Sequence, residues 1–181
     1  MKKFWIIIFV VCLSYSAKAQ IMAAKLQASG LTCAMCSKAV FNALSAVPYV
    51  EKIQPDIQGS IYQISFKQNM PIDPDLLSRA VTDAGFSVAK LQLTGTFPET
   101  TIGKDSHVTL FNQVYHFVNV PSQVLKGTKT ITLLDKSFVL PKEHKKFAQY
   151  TTMTCYSTGT RQSCCPQTGG SQSSRVYHVT L

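Results

Sequence analysis

The sequence reads GLTCAMCSKAV from residue 30 to residue 40, where two cysteines precede a helical pattern. Residues 23–29 (AAKLQAS) alternate apolar and polar side chains as a strand does. Beyond Cys36 the apolar side chains recur at helical spacing until Pro48, which ends the helix. We therefore expect Cys33 and Cys36, the CxxC pair, at the junction between a strand and the amino terminus of a helix.

The remainder of the first half continues this alternation of strand and helix patterns. A second helix is expected to begin with Asp73 at the N-cap and Pro74 in the first helical position, and to end at Gly85. Strand patterns occupy residues 49–57, 60–66 and 86–93. The resulting order, βαββαβ, predicts a ferredoxin-like α+β domain over residues 20–93.

The second half shows no comparable helical pattern and predicts a small β-rich domain over residues 102–181, such as an OB-like barrel or a sandwich. Its short strand candidates are residues 108–111, 114–120, 128–134, 137–140 and 176–181. We expect residues 94–101 (TGTFPETT) to be the linker between the two domains. We expect residues 142–146 (KEHKK) to form a solvated turn.

The amino terminus has the layout of a secretory signal peptide. Two lysines precede ten apolar residues, 4–13, and Ala17-Lys18-Ala19 provides a small-x-small cleavage site. Ten apolar residues are too few to span a bilayer, although an uncleaved anchor is the alternative. We expect residues 1–19 to be removed, which lowers the net charge from +9 to +6 because three lysines leave with them. The mature protein is then expected to be exported, in the periplasm, without a membrane span.

The CxxC pair suits a soft metal ion. Thiolates prefer soft ions, and the positive end of a helix dipole favours a thiolate over a thiol. A closed zinc site would need four ligands, and residues 20–93 have no histidine and no third cysteine. Two other uses of the pair stay open at this point, namely a redox dithiol and a structural disulfide.

The motif Gly30-Leu31-Thr32-Cys33-Ala34-Met35-Cys36, the βαββαβ order and the segment Ala84-Gly85-Phe86 together resemble the heavy-metal-associated domain. This family includes copper chaperones, amino-terminal domains of copper-transporting ATPases and periplasmic mercury-binding proteins. The resemblance implies that Cys33 and Cys36 bind the metal, with Cu(I) first and Hg(II) or another soft metal as the alternative. It also implies that Phe86 packs against the metal loop. Leu31 replaces the methionine usual in the family, which exchanges one apolar side chain for another.

A second group of candidate ligands lies in the second half. Cys155, Cys164 and Cys165 occur in a polar region, and the tripeptide Val-Tyr-His occurs twice, ending at His116 and at His178. One interpretation is a disulfide from Cys155 to Cys164 or Cys165, since an exported protein is exposed to oxidants. The other is a second metal site, formed if the two histidine-bearing strands pair and share a face with a cysteine. The sequence leaves both interpretations open.

The function expected from the sequence is therefore the capture of Cu(I) for transfer or sequestration. The partner would be a metal-exchange protein with a cysteine-based site. No hydrolase, metalloprotease or phosphate-loop motif is present, so we expect no enzyme activity. The positive charge is not arranged as a basic stripe with aromatics, so we expect no nucleic-acid binding. Alternatives are mercury(II) scavenging by the same pair, thiol–disulfide exchange, and metal-dependent docking without metal transfer.

Overall fold

A computed structural model describes residues 19–165 and 174–181, so the expected signal peptide lies outside the described residues except for Ala19. The first half contains β1 (Gln20–Ser29), α1 (Ala34–Ser45), β2 (Val50–Asp56), β3 (Ile61–Phe66), α2 (Pro74–Asp83) and β4 (Ser87–Ile102). The second half contains β5 (Ser106–Leu110), β6 (Gln113–Phe117), β7 (Gln123–Leu133), α3 (Pro141–Phe147), a short 3-10 helix (Ala148–Tyr150), α4 (Cys155–Thr158) and β8 (Val176–Thr180). Within the described ranges, none of the helices has the length and apolar character needed to cross a membrane.

The first half confirms the expected βαββαβ order, with its strands arranged β2-β3-β1-β4. Helix α1 buries Val40 and Leu44 completely, and α2 does the same with Leu77. The carboxylate of Asp73 caps α2 by accepting a hydrogen bond from the backbone N–H of Asp75 at 3.0 Å. Both helices pack their apolar stripes into the core, as the spacing of those residues predicts.

Strand β4 is where the structure differs from the expected linker. Residues 94–101 lie inside this strand of 16 residues, which pairs with β1 on one side and with β7 on the other. Gly95 and Phe97 face the core in alternation with more exposed neighbours. Pro98 lies at a register shift between Phe97 and Thr100, the kind of position at which a strand tolerates a residue without an N–H. Residues 94–101 are thus a strand despite their turn-like composition, because β4 pairs with a neighbouring strand along both edges.

The second half extends the same sheet instead of closing into an OB-like barrel. The eight strands of the described residues form one open sheet in the order β2-β3-β1-β4-β7-β8-β6-β5. Residues 137–140, expected as a strand, form a turn whose Phe138 is fully buried, so their apolar character reflects core filling. Residues 142–146, expected as a turn, lie in α3, which begins with Pro141 in its first turn.

Polar contacts also connect the second half to α2. The Arg175 guanidinium donates to the carboxylates of Asp75 and Asp135, each at 2.9 Å. The Tyr177 hydroxyl donates to Asp73 at 3.0 Å, at the cap of the same helix. Removing one partner from such a partly buried charge network leaves the others unpaired, so these contacts favour one arrangement of the two halves.

We predict that the described part of the chain unfolds as one cooperative unit, because β4 contributes to both halves. The variant Leu91→Ala removes a fully buried side chain from β4 and should lower the free energy of unfolding by about 2–5 kcal/mol. Urea unfolding followed by circular dichroism measures this loss, and hydrogen exchange should show weaker protection in β1 and β7 alike. The matched variant Val124→Ala, at a side chain that is 54% exposed, should change stability far less. Two separate transitions would contradict this prediction.

Candidate metal centre

Cys33 is the N-cap of α1, and Cys36 lies in its first turn. The backbone at Cys33 is extended (φ −152°, ψ 164°), and its sulfur accepts a hydrogen bond from the backbone N–H of Cys36 at 3.3 Å. The Cys33 carbonyl accepts from the N–H of Ser37 at 3.2 Å. The first turn of α1 contains no acidic residue, so no carboxylate offsets the positive end of this helix. The local fold thus places both thiols where negative charge is favoured.

The two sulfurs, Cys33 Sγ and Cys36 Sγ, lie 2.7 Å apart and point to the same region. With a metal–sulfur bond of about 2.3 Å, the length found in zinc thiolates, one ion would need the sulfurs about 3.8 Å apart for a tetrahedral angle and about 4.6 Å apart for a linear one. Rotation of the side chains about χ1 can supply this opening, because Cys33 is exposed and Cys36 is half-buried. The pair can therefore clasp one ion without rearrangement of the core.

The loop that carries Cys33 is held by apolar contacts beneath it. Leu31 and Phe86 are partly buried and pack against the hydrophobic core. Gly30 has φ +88°, a left-handed conformation that favours glycine, and a Cβ there would lie 3.8 Å from the ring of Phe86. Met35 is 74% exposed, so its thioether lies on the surface. The loop of residues 30–33 is thus held on one side by packing against the core, and its other side is open to solvent.

The surroundings of Cys36 favour its thiolate. The Cys33 thiol is the largest influence, followed by the backbone at Thr32, and together they hold the pKa of Cys36 below its ordinary value of 9.0. Burial acts in the opposite direction but is the weaker effect. A thiolate is the form that binds metal and the form that reacts with electrophiles. Cys36 is therefore primed for either reaction.

The structure brings together only some of the residues that the sequence suggests for the second group of candidate ligands. Strands β6 and β8 pair in parallel with His116 opposite His178, as the repeated tripeptide suggested. The sulfur of Cys155, however, lies near His116 and His107. Sequence analysis did not single out His107. A hairpin turn at Phe111 and Asn112, both with positive φ, places His107 opposite His116. A hairpin predicted at this turn would therefore have paired the two histidines.

We predict that Cys33→Ala raises the apparent pKa of Cys36, because it removes the thiol that contributes most to lowering it. In the unaltered protein, the rate of iodoacetamide alkylation at Cys36 should rise with pH through a pKa below 9.0. Peptide mass spectrometry separates this site from the other cysteines. Met35→Ala, at an exposed neighbouring position, serves as the control and should leave the pH dependence of Cys36 alkylation unchanged. An unchanged profile in Cys33→Ala would refute the prediction.

Three solved structures similar to this chain each match little more than a third of it. The N-terminal domain of PacS from Synechocystis PCC6803 is 27% identical, and the match covers 36% of this chain and 91% of that domain with a TM-score of 0.32. Apo-CopP from Helicobacter pylori is 25% identical, with 38% and 100% covered and a TM-score of 0.33. The CopZ metallochaperone is 19% identical, with 37% and 98% covered and a TM-score of 0.34.

The search among curated proteins found no match. The family of the heavy-metal-associated domain, in contrast, matches residues 25–87. These residues run from within β1 to the start of β4, and they include both thiols of the CxxC pair and the two helices that pack behind them. Residues 25–87 of this chain are therefore a heavy-metal-associated domain.

Proposed function

We propose that the protein captures Cu(I) through the thiolates of Cys33 and Cys36, and that it passes the ion to a partner or sequesters it. The observation that carries this proposal is the convergence of two thiols at the amino terminus of α1, 2.7 Å apart. Two thiolates and one Cu(I) form a complex with one net negative charge. The uncompensated positive end of α1 stabilises that charge.

The number of donors supports copper over zinc. In the described parts of the chain, the clusters of three or more potential metal-binding side chains do not include Cys33 or Cys36. Zinc in structural sites takes four protein ligands, whereas soft thiolate ligands select Cu(I). Hg(II) is also thiophilic and would bind the same pair, so the relative affinities for the two ions distinguish copper capture from mercury scavenging.

Exposure of the pair supports transfer to a partner. Cys33 lies on the surface, with the exposed side chain of Met35 two residues beyond it. An ion held by two sulfurs leaves room for incoming thiolates, so a partner with a cysteine-based site could take it by stepwise ligand exchange.

Export to the periplasm completes the proposal. It is supported by the signal-like pattern of residues 1–19, and the function there would be metal handling without enzymatic turnover. Binding of metal would also protect the pair from oxidation, since the electron pairs of both sulfurs are then engaged.

A second candidate function, thiol–disulfide exchange, is favoured by the same short distance between the sulfurs. Oxidation of Cys33 and Cys36 needs only a small movement of two side chains, and the lowered pKa of Cys36 supplies the attacking thiolate. This function predicts turnover of a disulfide substrate and a mild reduction potential. Metal capture instead predicts a tightly held ion.

We expect the reduced protein to bind Cu(I) tightly at the CxxC pair. Cys33→Ser and Cys36→Ser should each weaken that binding by at least 100-fold, because one thiolate alone cannot chelate the ion. The measurement is an anaerobic Cu(I) titration against a competing chelator, with native mass spectrometry for stoichiometry. To isolate this pair, Cys155, Cys164 and Cys165 are replaced by alanine in every sample.

Met35→Leu is the matched control for this titration. It removes the neighbouring thioether and keeps a similar apolar volume, and it should leave the affinity within about twofold if only thiolates bind. A parallel titration with Hg(II) decides between the two soft ions. Failure of the reduced pair to hold either ion, together with turnover of a disulfide substrate, would replace metal capture with thiol–disulfide exchange.

A further inference from the structure

Two histidines and a cysteine from three different elements meet in the second half of the chain. His107 on β5 and His116 on β6 are opposite each other in antiparallel register, and their rings stack 4.2 Å apart at an angle of 7°. Cys155 begins the short helix α4. One potential ligand atom from each of these three residues lies within 4.8 Å of the other two. His116 and Cys155 are fully buried.

Asp105 orients both imidazole rings. Its carboxylate accepts a hydrogen bond from His116 Nε2 at 3.1 Å, and its backbone carbonyl accepts one from His107 Nδ1 at 3.2 Å. Both acceptors are oxygens, so these ring nitrogens carry the protons and the opposite nitrogens have free lone pairs. A hydrogen bond from the distal ring nitrogen to a carboxylate or carbonyl is the usual support of metal-binding histidines.

The two free ring nitrogens both face the same sulfur. His107 Nε2 lies 3.6 Å and His116 Nδ1 lies 3.8 Å from Cys155 Sγ. Metal–nitrogen bonds of about 2.0 Å and metal–sulfur bonds of about 2.3 Å at a tetrahedral angle place such atoms about 3.5 Å apart. The observed distances lie within a few tenths of an ångström of this separation. Because each lone pair lies in its ring plane, the stacked rings would turn about χ2 for both nitrogens to bind one ion.

Two further thiols can complete the set. The sulfurs of Cys155, Cys164 and Cys165 lie within 4.8 Å of one another, and Cys165 is buried. Cys164 Sγ accepts a hydrogen bond from the Thr154 hydroxyl at 3.3 Å, which fixes its position beside Cys155. Cys155 belongs to both groups of three, so it lies where the nitrogen donors and the sulfur donors meet.

Other uses of these residues satisfy them less well. Complete burial of Cys155 keeps substrates away from its sulfur, which argues against a nucleophile. A disulfide from Cys155 to Cys164 or Cys165 would leave His107 Nε2 and His116 Nδ1 facing a sulfur that has no proton to donate. Buried acceptors without a donor are costly, whereas a cation satisfies both nitrogens and the sulfur together.

We propose that His107, His116 and Cys155, completed by Cys164 or Cys165, bind one four-coordinate transition-metal ion. The N2S2 donor set is one that zinc takes in proteins, and a set of two histidines and a cysteine also binds copper. Strand β6, which carries His116, lies four positions in the sheet from β1, which leads into the CxxC pair, so at about 4.8 Å per strand these two strands are about 19 Å apart. No ion can be shared between them, and this site does not depend on the CxxC pair.

His178 lies beside this site without belonging to it. Its Nδ1 is bonded to the Asp135 carboxylate at 2.8 Å, and its ring centre is 5.1 Å from that of His116. Its buried Nε2 has no hydrogen-bond partner among the residues that the structure describes. The ring of His178 thus packs next to His116, and the Asp135 carboxylate holds it there.

The test uses the full chain with Cys33→Ser and Cys36→Ser, reduced and metal-free, titrated with Zn(II) and separately with Co(II). Native mass spectrometry should show one bound ion, and Co(II) should give the intense visible bands and thiolate charge-transfer absorption of a tetrahedral site. Zn(II) should also raise the Tm. Replacing Zn(II) with Cu(I) in the titration decides which ion is held more tightly, and tight binding of either one supports the site.

Variants of the surrounding residues test the assigned ligands. Cys155→Ala and His107→Ala should each weaken Zn(II) binding by at least 100-fold, and His107 is only half-buried, so its variant is the safer one for folding. Asp105→Asn should weaken binding by about 10–100-fold, because it removes the carboxylate charge that supports the His116 ring, while the backbone carbonyl that bonds His107 is kept. His144→Gln is the control, because His144 is also buried but bonds the Leu134 carbonyl and belongs to neither group of potential ligands. The Zn(II) affinity of the His144→Gln variant should equal that of the parent protein.

Three results would overturn the proposal. The first is the absence of any ion in the reduced variant, and the second is binding that survives in both His107→Ala and His116→Ala. The third is a disulfide at Cys155 that forms at mild redox poise even with Zn(II) present. Circular dichroism of each variant ensures that a loss of binding is not a loss of fold.

Discussion

The structure depends on the two-sided pairing of strand β4. Its first residues pair with the end of β1, where Ser29 is opposite Ser87, and its later residues pair with β7. The first contact places Phe86 beneath Gly30 and so supports the metal loop. The second contact attaches β7, β8, β6 and β5 to the same sheet. One strand thus positions the CxxC pair and the histidine–cysteine cluster on a common framework.

The two proposed metal centres are opposite in character. Cys33 is exposed on a loop and Cys36 is half-buried in a first helical turn, and two sulfurs leave an ion accessible to other thiolates. His116 and Cys155 are fully buried, and Asp105 orients the rings from outside the ligand set. An accessible site of low coordination number suits exchange, whereas a closed site with oriented ligands suits retention. The same chain would then carry a transferable ion in one half and a resident ion in the other.

Local patterns in the sequence predict the first half well and the second half poorly. The CxxC pair, its helix and the βαββαβ order follow from spacing within short segments, and the structure has the same order. Residues 94–101 look like a linker because of their threonines and Pro98, and only pairing with strands distant in sequence makes them part of β4. His107 joins His116 through hairpin register, and Cys155 joins them through α4, a helix of four residues without a detectable period. Contacts of this kind depend on tertiary structure.

X-ray absorption spectroscopy of the Cu(I)-loaded protein tests the central claim most directly. The sample is the chain in which Cys155, Cys164 and Cys165 are replaced by alanine, loaded with one equivalent of Cu(I) under reducing conditions. The account predicts a first coordination shell of two sulfur atoms at equal distance, contributed by Cys33 and Cys36, with no nitrogen scatterer. A shell that contains histidine nitrogen, or an ion that is lost on removal of free copper, would contradict it.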